Sequence, residues 1–452
     1  FNGTADFSND VSATISRNGD LVYRMYLEHA ATFTRTTDTS NKDMGHVERY
    51  GDSLIKECEI EIGGQRIDKH TSMWNRVWSD LTQFNPSGHF GAGTAPATGD
   101  VRDVGGSGTL YQLMTGNGFG LNAEVNDNGA NKDFAAVVNG TTTGTVNGFV
   151  YNSQGGTGGS NVNVERIFLP LNFWFCRNPG LALPLIALQY HEVKVKMTFE
   201  TTNNLTREFE NGTAVTTHTD TDTPTNKIFD LWCDYIYLDT DERRRFAQVS
   251  HEYLIEQLQY SENTISSGSP SIDLNFNHPV KELIWCSRNT GSDGRNSSTP
   301  TDATAGPVSL DAMGGNWKLK LNGHDRFKDR DSKYFTRTQV WQHHTGYGAV
   351  PTVGDCANDL STTNATVLGG DSIAVYSFAL KPEEHQPSGT CNFSRIDNAQ
   401  LVGSSIVIPD EEAATVDNTP DGSSNTLSLT IFAVNYNVLR IMSGMGGLAY
   451  SN

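Results

Sequence analysis

Glu57-Cys58-Glu59-Ile60-Glu61-Ile62-Gly63-Gly64 and Asn316-Trp317-Lys318-Leu319-Lys320-Leu321-Asn322-Gly323 share one pattern. Apolar residues alternate with charged or polar ones, and each run ends at a turn. Alternate side chains of a strand share a face. Cys58, Ile60 and Ile62 therefore line one side, as do Trp317, Leu319 and Leu321. The separation of the runs, 316 − 57 = 259 residues, also carries Asn18 of the Asn18-Gly19 turn onto Asn277 of Asn277-His278-Pro279. Each turn lies between two strand-like runs. One offset that fits two separate hairpin-like features predicts an internally duplicated β-domain.

Strand signals recur along the whole chain. Val11–Ile15, Leu21–Leu27, Leu54–Ile62, Ile167–Phe175, Val193–Phe199 and Leu231–Leu238 are predicted in the first half. Ile272–Phe276, Val280–Trp285, Trp317–Leu321, Ile373–Leu380, Ile406–Ile408 and Leu427–Val434 follow in the second. Pro170 demotes the start of its strand to an edge position. Many short strands with turns between them predict antiparallel sandwiches. Helices are few. Asp239 followed by Glu242 resembles a capping box opening a short helix toward Phe246. Trp74, Val77, Trp78 and Leu81 have helical spacing within Met73–Phe84.

The expected organisation is a first sandwich over 1–240, a linker helix over 241–250 and a second sandwich over 251–452. Residues 85–165, dense in Gly, Asn, Thr and Ser, read as a large exposed loop insertion. Beyond it Ile167–Phe175 answers to Ile373–Leu380 at a smaller shift of about 205, because the matching loop is shorter.

At 452 residues, each half of roughly 200 can bury its own core. The charge balance is 33 − 52 = −19, which excludes coating of nucleic acid, since phosphate binding needs clustered Lys and Arg. The Arg243-Arg244-Arg245 cluster is flanked by Asp239, Asp241 and Glu242 and reads as a solvated helix face. The six cysteines, at 58, 176, 233, 286, 356 and 391, show no Cys-x-x-Cys spacing. They read as reduced core thiols of an intracellular protein, with Cys356 in a polar loop as the exception. The longest apolar stretch, Leu181–Leu188, is broken by Pro184 and falls short of the ~20 residues of a membrane span. No secretory leader is visible.

No catalytic constellation emerges, and no cofactor or metal site. His191-Glu192 and His251-Glu252 are adjacent in strands and so point to opposite faces. His343-His344 has no carboxylate or Cys at ligand spacing. Glu383-Glu384 and Glu411-Glu412 read as solvated loop charges. Seven Asn-x-Ser/Thr sequons occur, at Asn2, Asn139, Asn204, Asn211, Asn296, Asn364 and Asn392. Asn139, Asn204, Asn211, Asn296 and Asn364 lie in expected loops and are the candidate glycosylation sites.

Four longer strings carry a resemblance: Glu61–His70 (EIGGQRIDKH), Pro179–Val193 (PGLALPLIALQYHEV), Gln386–Asn398 (QPSGTCNFSRIDN) and Asn437–Tyr450 (NVLRIMSGMGGLAY). Together, in this order, they resemble the double jelly-roll major capsid proteins of large double-stranded DNA viruses, most closely those of algal viruses. The resemblance implies an all-β fold of two tandem eight-stranded antiparallel jelly-roll sandwiches with long decorated loops and few short helices. It implies a homotrimer of nearly hexagonal outline that tiles an icosahedral shell over an inner membrane it does not span. Implied partners are neighbouring capsomers, minor capsid proteins and, through exposed loops, host surface or glycans, with no direct nucleic acid. Assembly in the host cytoplasm, an N-terminal arm preceding Phe1, and sugars attached outside the usual sequon are implied as well. The competing reading of the residues is a tandem β-sandwich that binds or cleaves carbohydrate, through an aromatic platform or two facing carboxylates. A receptor-attachment role for the large loop is compatible with either.

Overall fold

The computed structural model of the chain describes residues 1–34, 42–46, 50–83, 110–117, 161–210, 213–214, 223–289, 315–346, 348, 372–406 and 426–450. The first half holds β1 (Asp10–Thr14), β2 (Leu21–Thr34), β3 (Lys42–His46), β4 (Ile55–Ile62), β5 (Gln65–Thr71), β6 (Asn161–Pro170), β7 (Leu183–Pro184), β8 (Val193–Phe199), β9 (Thr206–Glu210), β10 (Thr213–Ala214) and β11 (Thr223–Ile236). The second holds β12 (His251–Ser266), β13 (Ser271–Asp273), β14 (Pro279–Asn289), β15 (Asn316–Leu321), β16 (His324–Asp325), β17 (Arg330–Asp331), β18 (Ile373–Ser377), β19 (Cys391–Asn392), β20 (Ala399–Ser404), β21 (Thr426–Met442) and β22 (Met445–Leu448).

The two halves repeat one strand order. Sheet β1-β8-β4-β5 matches β13-β20-β15-β16, and β11-β2-β6 matches β21-β14-β18. Among these matched strands the chain alternates between the two sheets of each half except at the β4–β5 and β15–β16 hairpins, which is jelly-roll winding. The strands β4 and β15, which contain the two opening runs, occupy the same place. The match extends to the turns. Gly63 and Gly64 have φ of 57° and 86°, and Asn322 and Gly323 have 50° and 78°, the doubly left-handed geometry that tight hairpins favour. The chain is thus two tandem jelly rolls. The equivalence is incomplete: among the described residues the three-stranded sheet β10-β9-β3 belongs to the first half alone, and the 16-residue β12, which pairs with β21 along its length, has no counterpart in the first half. The inward Leu231, Cys233 and Tyr235 of β11 are accordingly half-buried, whereas Leu429, Ile431 and Ala433 of β21 are fully buried.

Period-two patterning explains both cores. In β8, Val193, Val195, Met197 and Phe199 are buried while Lys194 and Lys196 face out. Opposite them, Glu59 and Glu61 of β4 face out too, in register with Lys196 and Lys194. Lys69 reaches Glu57 at 2.8 Å. This outward face is a charged lattice that keeps its sheet in solvent. Trp317 and Leu319 enter the second core, beside Trp285, as Cys58 and Ile60 enter the first.

Several expectations shift. The strand expected at Ile167–Phe175 runs Asn161–Pro170, ends at its proline, and gives way to a helix over Trp174–Arg177. The Met73–Phe84 helix runs Ser72–Thr82. The helix after Asp239 spans Thr240–Gln248, but the Asp239 side chain makes no cap bond; its carbonyl accepts from Arg243 N at 2.8 Å instead. Within 85–165 a helix over Leu110–Thr115 went unseen in the sequence, as did the Tyr334–Thr338 and Gln339–His343 turns. Glu411, Glu412 and Cys356 lie outside the described residues.

Candidate functional site: the seam between the sandwiches

An apolar stripe opens the seam. Thr71 caps the Ser72–Thr82 helix, its Oγ1 accepting from Trp74 N at 3.3 Å. Helical spacing then puts Met73, Trp74, Val77, Trp78 and Leu81 on one side, all of them buried. This helix belongs to the first half, yet it packs on the outward face of β14, β18 and β21, against Ile284, Val375, Phe432 and Val434. The Trp74 ring lies 5.2 Å from Phe432 and stacks at 5.4 Å on Trp78. Second-half backbone closes over the helix end: Gly346 N donates to Leu81 O, and Gly348 N to Asp80 O, each at 2.7 Å. A Cβ at Gly346 would meet the Leu81 backbone at 2.5 Å, so the approach requires glycine.

Beside the stripe lies a buried ionic group. Glu256 of β12 accepts from Arg177, contributed by the first half, at 2.7 Å, and from Lys281 of β14 at 2.5 Å. Lys281 is 0% exposed. The Arg177 guanidinium sits 4.8 Å over the Trp78 ring, and the Lys281 ammonium 5.1 Å over Tyr436, favourable cation–aromatic geometry. Burial alone would raise the Glu256 carboxyl. Arg177, His385 and Lys281 outweigh it and hold the group at about 2. Backbone joins the halves here too: Leu258 N donates to Asp68 Oδ1 at 3.0 Å, and Gln257 Nε2 donates to Ile67 O.

His344 corrects a reading made from spacing. Two carboxylates do reach it, from far along the chain: Glu282 Oε2 lies 3.0 Å from Nε2 and Glu383 Oε1 2.9 Å from Nδ1. Carboxylates accept, so both ring nitrogens donate and the imidazole is cationic. Burial works against the charge, but Glu282 and then Glu383 outweigh it and lift His344 to about 9. Glu383 is therefore a half-buried ion-pair partner rather than a solvated loop charge. Glu282 is sealed from solvent, so this facing pair of carboxylates offers no surface to a sugar. Among the described residues no group of His, Cys, Asp and Glu has the arrangement of a metal site.

The other singled-out residues do not converge. His191 Nδ1 lies 2.9 Å from Gly446 O. His251 Nε2 lies 2.8 Å from Phe246 O, and Glu252 pairs with Arg440 at 2.8 Å. His343 Nδ1 lies 3.3 Å from Leu380 O. Asn139, Asn211, Asn296 and Asn364 lie outside the described residues. Asn204 sits in a short helix, Thr202–Leu205, rather than a loop; it is half-buried and its amide donates to Glu200 Oε1 at 3.0 Å. Asn2 and Asn392 are exposed, the latter capping a short turn through Ser394 N at 3.1 Å. The described cysteines are free thiols. Burial pushes Cys176 up to about 12 and Cys233 to about 11, which makes them inert.

Comparison with known proteins agrees with this geometry. The family model described as "Major capsid protein N-terminus" matches residues 1–93 and 143–239. That described as "Large eukaryotic DNA virus major capsid protein" matches 242–356 and 363–447. The major capsid protein of Pyramimonas orientalis virus is 42% identical over 456 residues, covering 100% of this chain and 89% of the relative. That of Paramecium bursaria Chlorella virus 1 is 34% identical, covering 100% and 90%. The quasi-atomic model of the PBCV-1 virus capsid superposes with a TM-score of 0.62 at 33% identity, covering 100% of this chain and 95% of the other. The Faustovirus major capsid protein, at 13% identity and a TM-score of 0.59, shares the fold. The chain belongs to the major capsid protein family of large eukaryotic DNA viruses and is a structural component of the virion, not an enzyme.

Proposed function

We propose that three copies of the chain form a capsomer of pseudo-hexagonal outline, and that such capsomers, assembled in the host cytoplasm, tile an icosahedral shell. The observation that carries this reading is the repeated strand order across a sealed seam. Two like walls per chain, held rigidly, turn threefold symmetry into six near-equal sides. In this reading residues 1–240 and 251–452 are the two building domains, 241–250 links them, and 85–165 projects as an exposed loop. Neighbouring capsomers and minor capsid proteins contact the sides, and host surface or glycans meet the loops. The acidic chain stays off the genome, with the inner membrane below. Asn139, Asn204, Asn211, Asn296 and Asn364 remain candidate glycan carriers.

Light scattering of the purified chain at micromolar concentration should give three times 49.4 kDa. Electron microscopy of the same sample should show hexagonal outlines. A monomer, or a plainly three-lobed particle, would overturn the reading. Intact mass before and after glycosidase treatment tests the asparagines.

A further inference from the structure

The second sandwich has an apolar outer face, whereas the corresponding face of the first carries an aromatic patch among charged residues, and each sandwich sends a Val-Trp turn out after its matching hairpin strands. In the first half this is Val77-Trp78 on the Ser72–Thr82 helix; in the second it is Val340-Trp341 at the Gln339–His343 turn. Both valines are buried. The tryptophans differ. Trp78 is 6% exposed, lying in the seam cluster with Trp74 stacked on it and the Arg177 guanidinium over its ring, whereas Trp341 is 82% exposed.

The receiving faces show the complementary difference. In the second sandwich the covered row runs Phe432–Ile284–Val375 across β21, β14 and β18. The same place in the first sandwich holds Trp232–Tyr26–Pro170 across β11, β2 and β6. Tyr26 packs edge-on to Phe168 at 6.1 Å, and Trp232, its Nε1 donating to Glu28 Oε2, is 50% exposed. This face sets its aromatic side chains among charges, Glu28 pairing with Arg166 at 3.0 Å and lying opposite Asp230, where the opposite face of the same sandwich is a lattice of Glu and Lys without aromatic residues in it. One chain thus uses its first Val-Trp turn and the apolar face of its second sandwich on each other, with Val340 in the same cluster, and leaves Trp341 and the aromatic patch of the first sandwich over.

We propose that Trp341 of one copy packs on the Trp232–Tyr26–Phe168 face of the next, repeating between chains the contact that Trp78 makes within one. The occupant is a second copy of this chain because the surface already seen to take a Val-Trp turn is the equivalent sheet of this same fold. A head-to-tail contact of this kind closes a ring when its rotation divides the circle. The proposal rests on the trimeric capsomer and names the surface that builds it. An exposed aromatic anchor meeting an aromatic face is the composition of an interface hot spot.

The test uses the full chain. Trp341 is 82% exposed in its own fold, so Trp341→Glu should leave the chain folded, with the far-UV circular dichroism spectrum of the wild type. Sedimentation over a concentration series should show its trimer dissociating at concentrations roughly thirtyfold higher or more than wild type. Independently, a photo-crosslinking amino acid at position 341 should give intermolecular adducts on β2, β6 or β11. A wild-type trimer indifferent to Trp341→Glu, or adducts confined to another surface or another capsid protein, overturns this surface while leaving the trimer standing. A monomeric wild type overturns the capsomer reading and this proposal with it.

Discussion

Arg177 and Glu256 meet at 2.7 Å across the seam, 79 residues apart in sequence and on different sandwiches. Glu256 also holds Lys281, which has no access to water. Such a group ties the relative placement of the halves to a few atoms. Removing one partner of a buried pair is far more costly than never having the pair. Glu256→Gln should therefore destabilise the chain by roughly 3–5 kcal/mol, read from urea midpoints. Glu256→Leu combined with Lys281→Met should cost less than the sum of the single changes, since the buried Lys281 charge is then not stranded and only Arg177 loses its carboxylate.

Acid should weaken the fold in two windows. His29 is fully buried, with Nδ1 2.9 Å from Ile228 O and Nε2 2.8 Å from the Tyr50 hydroxyl. The carbonyl can only accept, so Nδ1 donates, Nε2 accepts, and the ring is neutral. Burial depresses it from 6.5 to about 3 against the Ile228 bond. Its contribution is present above pH 6.5 and is lost as pH falls toward 3, because the unfolded chain takes the proton first. Glu256 adds a lower window, from its ordinary 4.5 down to about 2. Calorimetric midpoints should fall from pH 6.5 downward, and His29→Gln should flatten the upper part of that fall. An unchanged slope in the variant would remove His29 from the explanation.

Alkali should act through His344. Its folded value, about 9, lies above the ordinary 6.5. The stabilisation is complete below pH 6.5 and disappears as pH rises through 9. His344→Gln should lower the thermal midpoint at pH 6 and remove the decline between pH 6.5 and 9 that the wild type shows. Equal declines in both proteins would contradict the assignment.

The duplicated strands β4 and β15 carry very different volumes at matched positions. Trp317 is fully buried beside Trp285, ring centroids 6.3 Å apart, while its equivalent Cys58 is a small buried thiol. Trp317→Ala should cost about 3–5 kcal/mol by opening a cavity, and Cys58→Ala on the order of 1. Comparable losses from equilibrium denaturation would show that the two cores are not packed independently.

The Thr71 cap positions the helix that crosses the seam. Thr71→Ala should cost about 1 kcal/mol, and Thr71→Ser should restore most of it.

Much of the architecture is legible in the residues because its signals are local. Alternation in Glu57–Ile62 and Asn316–Leu321 marks strands whichever sheet they join, and Gly63-Gly64 and Asn322-Gly323 close hairpins by backbone preference alone. The shared spacing then announces a duplication. The short turn at Gln339–His343 and the helix at Leu110–Thr115 were invisible because they are too brief to show a period. Asp239 carries the residue pattern of a cap without making its side-chain bond, since a cap's partner depends on how the chain enters the helix.

By itself the sequence determined that this protein is a repeated antiparallel sandwich and which family it resembles. Only the tertiary structure decided what the polar residues do. Glu282 and Glu383 stand 62 and 39 residues from His344, and all three look like surface charges one at a time. Trp78 and Trp341 each follow a buried valine on a helical segment, yet one is covered and one is open. Burial is a property of what packs above a residue, and a strand or turn carries no record of its neighbour in the adjoining sandwich. The alternation of side chains along a strand belongs to the strand itself, which is why it could be read in advance.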